Sequence, residues 1–270
     1  MSRPIITLTT DFGTGSPYIA QMKGVILQIC PQANIIDLTH AIPPQDVQAG
    51  AIALRDATPF FPLGSIHVAV VDPGVGTARQ IIYAEAAGQH FIGPDNGLLS
   101  LVAIDIHTLI AVTNTAWWRQ TVSNTFHGRD IMAPVAAHLG MGVKPYQIGP
   151  RINAIQRITI DSAEALIGKV VGCIEHFDSF GNAITNISQQ TVQSSRPSPD
   201  HGMRIGVHGL VLTEIAKTYS DCKGLVALFG SRGFLEFALV NGSAEETFDL
   251  RPGQRVTIEW QEKPFQCVGR

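Results

Sequence analysis

The sequence predicts an α/β fold: an N-terminal, mostly parallel sheet flanked by helices, followed by a smaller C-terminal all-β domain. Three observations carry this. Over the first 140 residues, short β-rich runs alternate with stretches of helical periodicity, the pattern of βαβ units around a sheet. The segment GMGVKPYQIGP, residues 140 to 150, is then rich in glycine and proline. Beyond it the helical period fades and turn residues separate short strand-like runs. The expected division is an α/β domain over 1–155, a linker over 156–167 and a β domain over 168–270.

Ile5 to Thr9 reads as the first strand, and the turn-like DFGTGSP follows it. Ile19, Met22, Ile26 and Ile29 recur at helical spacing, so the spacing predicts an amphipathic helix over Tyr18 to Cys30. A strand over Ile35 to Leu38 precedes a helix near Asp46 to Asp56. SIHVAVV, residues 65 to 71, has the continuous apolar character of a central strand buried on both faces. The loop DPGVG, the run IIYAEA and the turn PDNG come next. In the second domain the expected strands are Lys169 to Ile174, Met203 to Val207, Leu225 to Phe229, Phe234 to Val240 and Arg255 to Trp260, and SSRPSPDHG (194 to 202) is an exposed loop by composition.

Composition excludes several classes of function. Only 15% of the 270 residues are charged and the net charge is -3, so the chain lacks the basic footprint of a nucleic-acid or anionic-membrane binder. The four cysteines, Cys30, Cys173, Cys222 and Cys267, form no C-x-x-C pair, which argues against a zinc site or a disulfide framework and fits a reducing cytoplasm. The apolar stretch Ile5 to Leu8 is too short for a signal peptide, and no uncharged run reaches the roughly 18 residues of a membrane span. A soluble cytoplasmic protein without a metal is expected.

Several polar clusters follow strands, and the carboxyl ends of strands are where open α/β sheets bind ligands. Asp11, in DFG, is placed to accept from a ribose diol, or else to cap a turn. The kinase motif that DFG suggests is excluded, because the Gly-rich loop and strand lysine that should precede it are missing. VDPGVGTAR sets Asp72 at a strand end and Arg79 seven positions on, as a reactive pair or as a turn aspartate and a surface arginine. PDNG (94 to 97) reads as an ordinary turn, and the His40 of DLTH as structural. In FHGRD, Arg129 and Asp130 suit a helix start. His127, beside a glycine that would open space, is a candidate acid, base or hydrogen-bond donor, or else a satisfied loop histidine. HFDSFGNAITNI combines Phe177 and Phe180 with Asp178, Asn182 and Asn186, so that rings can stack a base and amides read its edge; a Gly-Asn hairpin with core aromatics is the alternative. FGSRG offers Ser231 and Arg232 to a carboxylate.

Taken together, TTDFG, DLTH, VVDPGVG, PDNG, FHGRD, FGN-x-x-TN and GSRG, in this order, resemble the S-adenosylmethionine hydrolases, also called S-adenosylmethionine hydroxide adenosyltransferases, which are related to S-adenosylmethionine-dependent chlorinases and fluorinases. The resemblance implies hydrolysis of S-adenosylmethionine to adenosine and methionine, with no cofactor. It also implies a homotrimer whose sites lie between the N-terminal domain of one subunit and the C-terminal domain of its neighbour. It assigns Asp11 to the ribose hydroxyls and Asp72, Arg79 and His127 to the water. Asp178, Ser231 and Arg232 go to the methionine amine and carboxylate, Asn182 to adenine, and ALVNGSA (238 to 244) to further adenine contacts as a segment; Phe180, the ring that could stack a base, is counted with the substrate-binding residues. Halogenating relatives carry tyrosine where Asp72 stands, which favours water over halide. The alternatives are a chlorinase and a non-catalytic binder of S-adenosylmethionine or adenosine.

The implied reaction releases a neutral thioether, so the leaving group needs no proton. Lowering the pKa of water from about 15.7 to about 8 would take roughly 10 kcal/mol. One close cation supplies only about 4 kcal/mol at an effective dielectric of about 20. The expectation is therefore that Arg79 and His127 position the water while Asp72 accepts its proton. The rival is capture of hydroxide by a cationic Arg79 and His127 pair.

Overall fold

The structure is a computed structural model that describes residues 3–198, 201–219 and 223–262. Cys222 and Cys267 fall outside these residues, while Cys30 and Cys173 are free thiols. The chain divides into two compact units, Met1–Thr159 and Ile160–Arg270.

In the first unit, β1 (Ile5–Thr10) leads to α1 (Pro17–Ile29), β2 (Asn34–Thr39), α2 (Val47–Ala57) and β3 (Ile66–Val70). Both helices start where the side chains dictate. Ser16 caps α1 by accepting from the Tyr18 N–H with Pro17 in the first turn, and Asp46 caps α2 by accepting from the Ala49 N–H at 2.8 Å. α1 buries Ile19, Met22, Val25 and Ile26 on one face, each worth about 1.5–3 kcal/mol if fully removed from water.

The sheet continues through β4 (Ile81–Ala86), β5 (Gln89–Pro94) and β6 (Ile106–Ala111), in the spatial order β2-β1-β3-β5-β4-β6. It is mixed rather than mostly parallel. The β1–β2, β1–β3 and β3–β5 pairs are parallel, but β4 runs antiparallel to both β5 and β6. The cause is local: Ala87 and Gly88 both take left-handed φ (50° and 70°), which folds β4 and β5 into a tight hairpin instead of a crossover. β3 is buried along its whole length. Ile66, Val68 and Val70 pack into the core shared with α1, and Ala69 and Val71 into the core that holds Leu54 of α2, which explains the uninterrupted apolar run. A five-residue π-helix, Gly128–Met132, opens α3 (Ala133–Gly140) on the α1 side.

In the second unit β7 (Glu164–Leu166), β8 (Lys169–Phe177), β9 (Ala183–Ser188), β10 (His201–Val207), β11 (Leu210–Leu212), β12 (Leu225–Phe229), β13 (Phe234–Leu239) and β14 (Arg255–Glu262) form one eight-stranded antiparallel sheet. The nine-residue β8 pairs with β14 along its first part and with β9 along its last, across a register shift between Ile174 and His176, and so turns the sheet back toward a barrel. The unit is not purely β, since α4 (Gln189–Ser195) and α5 (Ala244–Phe248) are short helices capped by Ser188 and Ser243. Ser194 and Ser195 thus end a helix rather than open a loop, and residues 199 and 200 lie outside the described residues.

Candidate active site

β1 and β3 are parallel neighbours with Thr10 paired to Val70. The chain leaves both at the same edge of the sheet, where Asp11 and Asp72 follow within two residues, as expected of the carboxyl ends of strands. The Asp11 loop is fixed from below. Asp37 faces His40 Nε2 at 3.1 Å, His40 Nδ1 bonds Thr10 Oγ1 at 2.9 Å, and the Gly13 N–H donates to the His40 carbonyl at 2.9 Å. Gly13 has φ 81°, a conformation that favours glycine. Asp11 Oδ2 accepts from the backbone N–H of Gln45 at 2.8 Å, and Gln45 itself adopts a left-handed φ of 66°.

Asp72, Arg79 and His127 meet. Arg79 forks onto the Asp72 carboxylate, Nε donating to Oδ1 at 2.8 Å and Nη2 to Oδ2, and the two side chains are only 9% and 5% exposed. Nη2 also lies 2.9 Å from His127 Nδ1. A guanidinium can only donate, so Nδ1 must accept, and the neutral ring then carries its proton on Nε2. Burial, and then the charge of Arg79, hold His127 below the ordinary imidazole range against the opposing pull of Asp72 and Asp130. A cationic His127, on which hydroxide capture depends, is therefore disfavoured here.

Gly128 does the opposite of opening space beside His127. A Cβ there would sit 3.1 Å from Val70 Cγ1, so the missing side chain lets the π-helix press onto β3 and delivers His127 to the end of the strand. Asp130 stands in the first turn of that helix, as a helix start suggests, but its carboxylate is taken by other partners. It is wholly buried, accepting from Arg129 (2.7 and 2.8 Å), from Arg119 (2.8 Å) and from the Ser123 N–H (2.9 Å). Burial alone would raise this carboxyl; the Arg129, Ser123 and Arg119 hydrogen bonds override it and bring it to about 2.

Asp72 and His127 of this set face a cleft of about 280 Å³ that is also lined by Asp11, Gln45, Phe126 and neighbouring residues. Phe126 makes edge-on contacts with Phe12 and Tyr18, at 5.6 and 5.2 Å between ring centroids. Sequence reasoning missed Gln45 and the wall formed by Phe12 and Phe126. A left-handed glutamine leaves no signal in sequence, whereas the Phe beside His127 stood within a motif already singled out. Among the described residues, no group of three or more His, Cys, Asp or Glu is arranged to hold a metal ion.

In the second unit Asp178 organises the β8–β9 turn. Its Oδ1 accepts from the N–H groups of Phe180 and Asn182, and its Oδ2 from Asn182 Nδ2, each at 2.9 Å. Asn182 is nearly buried and Phe180 is 76% exposed, so the turn presents a free aromatic face. Ser231 and Arg232 occupy the β12–β13 turn closed by the Gly233 N–H on the Gly230 carbonyl at 2.8 Å. Ser231 is exposed; Arg232 is half-buried, with Nη2 3.3 Å from His176 Nε2 and its guanidinium over the Phe234 ring. Asp11, Asp72, Arg79 and His127 thus gather in one unit, and Asp178, Asn182, Phe180, Ser231 and Arg232 on two turns of the other.

Residues 6–149 match the family model described as the SAM hydroxide adenosyltransferase N-terminal domain, and residues 172–257 match its C-terminal domain. The chain belongs to the SAM hydroxide adenosyltransferase family. Within the family it is 36% identical to the (R)-S-adenosyl-L-methionine hydrolase of Thermus thermophilus, over 95% of this chain and 99% of that one, and 34% identical to the hydrolase of Salinispora arenicola, over 95% and 98%. A fluorinase of an Actinoplanes species is more distant at 28%, over 94% and 97%. A solved structure of an uncharacterized conserved protein from Thermotoga maritima superposes with a TM-score of 0.87 at 34% identity, over 94% of this chain and 99% of that one. No helix among the described residues of this family member is long and apolar enough to cross a membrane.

Proposed function

We propose that this chain hydrolyses S-adenosyl-L-methionine to adenosine and L-methionine, with Asp72, Arg79 and His127 as the residues that handle the water. The observation carrying this reading is the three-way contact of a buried carboxylate, a guanidinium and a neutral imidazole at the wall of a cleft that also holds Asp11. Asp11 takes the ribose hydroxyls, its orientation already set by the Gln45 N–H. Asp178, Ser231 and Arg232 take the amino-acid end of the substrate, and Asn182 and Phe180 the adenine, with the segment 238–244 beside them.

Water attacks the 5′ carbon in line with sulphur. The carbon–oxygen bond forms as the carbon–sulphur bond breaks, the electron pair leaves with sulphur as the neutral thioether of methionine, and the water proton passes to Asp72. Arg79 already donates to both Asp72 oxygens, yet a carboxylate has about four acceptor positions, so room remains for the water. His127 Nε2–H supplies a donor that fixes the water oxygen. With Arg79 largely neutralised by Asp72, too little uncompensated positive charge remains for the roughly 10 kcal/mol that hydroxide capture requires, and rate must come from orientation and a positioned base. A homotrimer acting in the cytoplasm completes the reading; sedimentation velocity would test the assembly.

The test of the activity is incubation with S-adenosylmethionine and excess chloride, followed by chromatography with mass detection. Adenosine and methionine are expected. A 5′-chlorinated nucleoside would reassign the nucleophile, and measurable binding without turnover would make the protein a binder of the same ligand.

A further inference from the structure

Pro94 to Gly97, PDNG, reads in sequence as an ordinary turn, yet in the fold it touches both ends of the loop that carries Asp72 and Arg79. Asn96 donates through Nδ2 to the carbonyl of Val71 at 2.9 Å, and Val71 immediately precedes Asp72. The Asp95 backbone N–H donates to the carbonyl of Gln80 at 2.9 Å, and Gln80 immediately follows Arg79. One turn thus holds the residue before the acid and the residue after the guanidinium.

The turn is itself anchored. Asn96 Oδ1 accepts from the Leu98 N–H at 3.1 Å, and Asp95 Oδ1 accepts from the Gln156 N–H at 2.7 Å. Gly97, at φ 97°, packs so tightly on Ile158 that no side chain would fit. The loop it holds needs such restraint, since it contains Gly74 and Gly76 and each unrestrained residue carries about 1–2 kcal/mol of backbone entropy. Asn96 does not line the cleft; its side chain reaches the reactive loop through the Val71 carbonyl, next to Asp72.

We propose that Asn96 is a positioning residue for the hydrolytic site, clamping the carbonyl before Asp72 so that the Asp72–Arg79 fork and the Arg79–His127 contact form together. This rests on the reading of Asp72, Arg79 and His127 as the groups that handle water. Displacements of about 1 Å at such a site cost on the order of a hundred-fold in rate, so loss of a single tether is expected to register in turnover rather than in affinity.

Asn96→Asp separates the two functions of the side chain. It keeps an acceptor for the Leu98 N–H but replaces the donor to Val71 with a repelling oxygen; Asn96→Ala removes both. The expected result for Asn96→Asp is a fall in kcat of about ten-fold or more with KM within about two-fold of wild type. With it, the titration of His127 followed by NMR should move up toward the ordinary imidazole value as the Arg79 contact loosens. A turn with no positioning role would lower stability in both variants and leave kcat and the His127 titration of Asn96→Asp at wild-type values, which would overturn the proposal even if Asn96→Ala fails to fold. A wild-type chain that does not hydrolyse S-adenosylmethionine would end the proposed function instead, and the titration would still decide the clamp.

Discussion

Arg79 Nη2 serves Asp72 Oδ2 and His127 Nδ1 at once, the latter at 2.9 Å. The imidazole can accept there only while neutral, so protonation of His127 and integrity of the three-way contact exclude each other. With its folded-state pKa depressed by burial and by Arg79, the ring stays neutral through the physiological range and gains its proton only below the ordinary value of about 6.5. The expected profile of kcat/KM is flat from about pH 7 to 9 and falls on the acid side with a midpoint below 6.5. A log-linear rise through the alkaline range would instead mark hydroxide as the captured species and remove Asp72 as the base.

Asp72→Asn preserves shape while deleting the charge and the proton acceptor. A positioned base contributes about 10²–10⁴-fold, and kcat is expected to drop within that range. Affinity for S-adenosylmethionine, measured by calorimetry, should change by no more than a few-fold, because the ribose, adenine and amino-acid contacts are made by other residues. Undiminished turnover would take Asp72 out of the mechanism.

How far the sequence foretold this site depends on which physical constraint each residue obeys. The α1 and α2 starts, the buried β3 and the mixed loop of Asp and Gly after it were legible because caps, apolar runs and strand ends leave local signatures. The direction of β4 was not, since it turns on two left-handed residues, one of them the unremarkable Ala87. Gly128 was read as a source of space when it is a point of close packing against Val70, a partner distant in the chain. Asp130 does stand in the first turn of a helix, but its use as a buried hub for Arg119 and Arg129 is not something a helix-start signal reveals. The roles of Gln45 and Asn96 rest on hydrogen bonds to residues 34 and 25 positions away, beyond any local pattern.

Asp130 is expected to matter for stability before chemistry. Asp130→Ala removes the acceptor shared by Arg119 and Arg129 and by the Ser123 N–H, at the fold's most buried carboxylate position near the site. Breaking a buried pair costs about 3–5 kcal/mol, and the partial exposure of both arginines places the loss near about 3 kcal/mol. Because the folded carboxyl lies at about 2, below its usual 3.8, its contribution is present above the usual value and is lost as pH falls through about 2. Urea unfolding of the variant at pH 7 measures the first quantity, and a loss under about 1 kcal/mol would show that the arginines find other partners.

His67 carries the opposite sign. It lies fully buried on β3, with Nδ1 2.8 Å from Thr7 Oγ1 and its ring stacked on Phe91 at 5.0 Å. Burial pushes its pKa down from 6.5 to about 4, with Gln89 opposing the shift. As pH falls below 6.5 the unfolded chain takes up a proton that the folded chain refuses until about pH 4, so stability declines across that window. The fall from 6.5 to about 4 corresponds to about 3 kcal/mol, since each tenfold change in proton affinity is worth about 1.36 kcal/mol. His67→Leu abandons the Thr7 hydroxyl and should be less stable than wild type at pH 8. It should nevertheless lose about 3 kcal/mol less than wild type between pH 8 and 4 in denaturant unfolding, so that the two curves converge or cross. Parallel curves would place the acid sensitivity of the fold elsewhere, with His90 and His138, both also held low by burial, as the next groups to substitute.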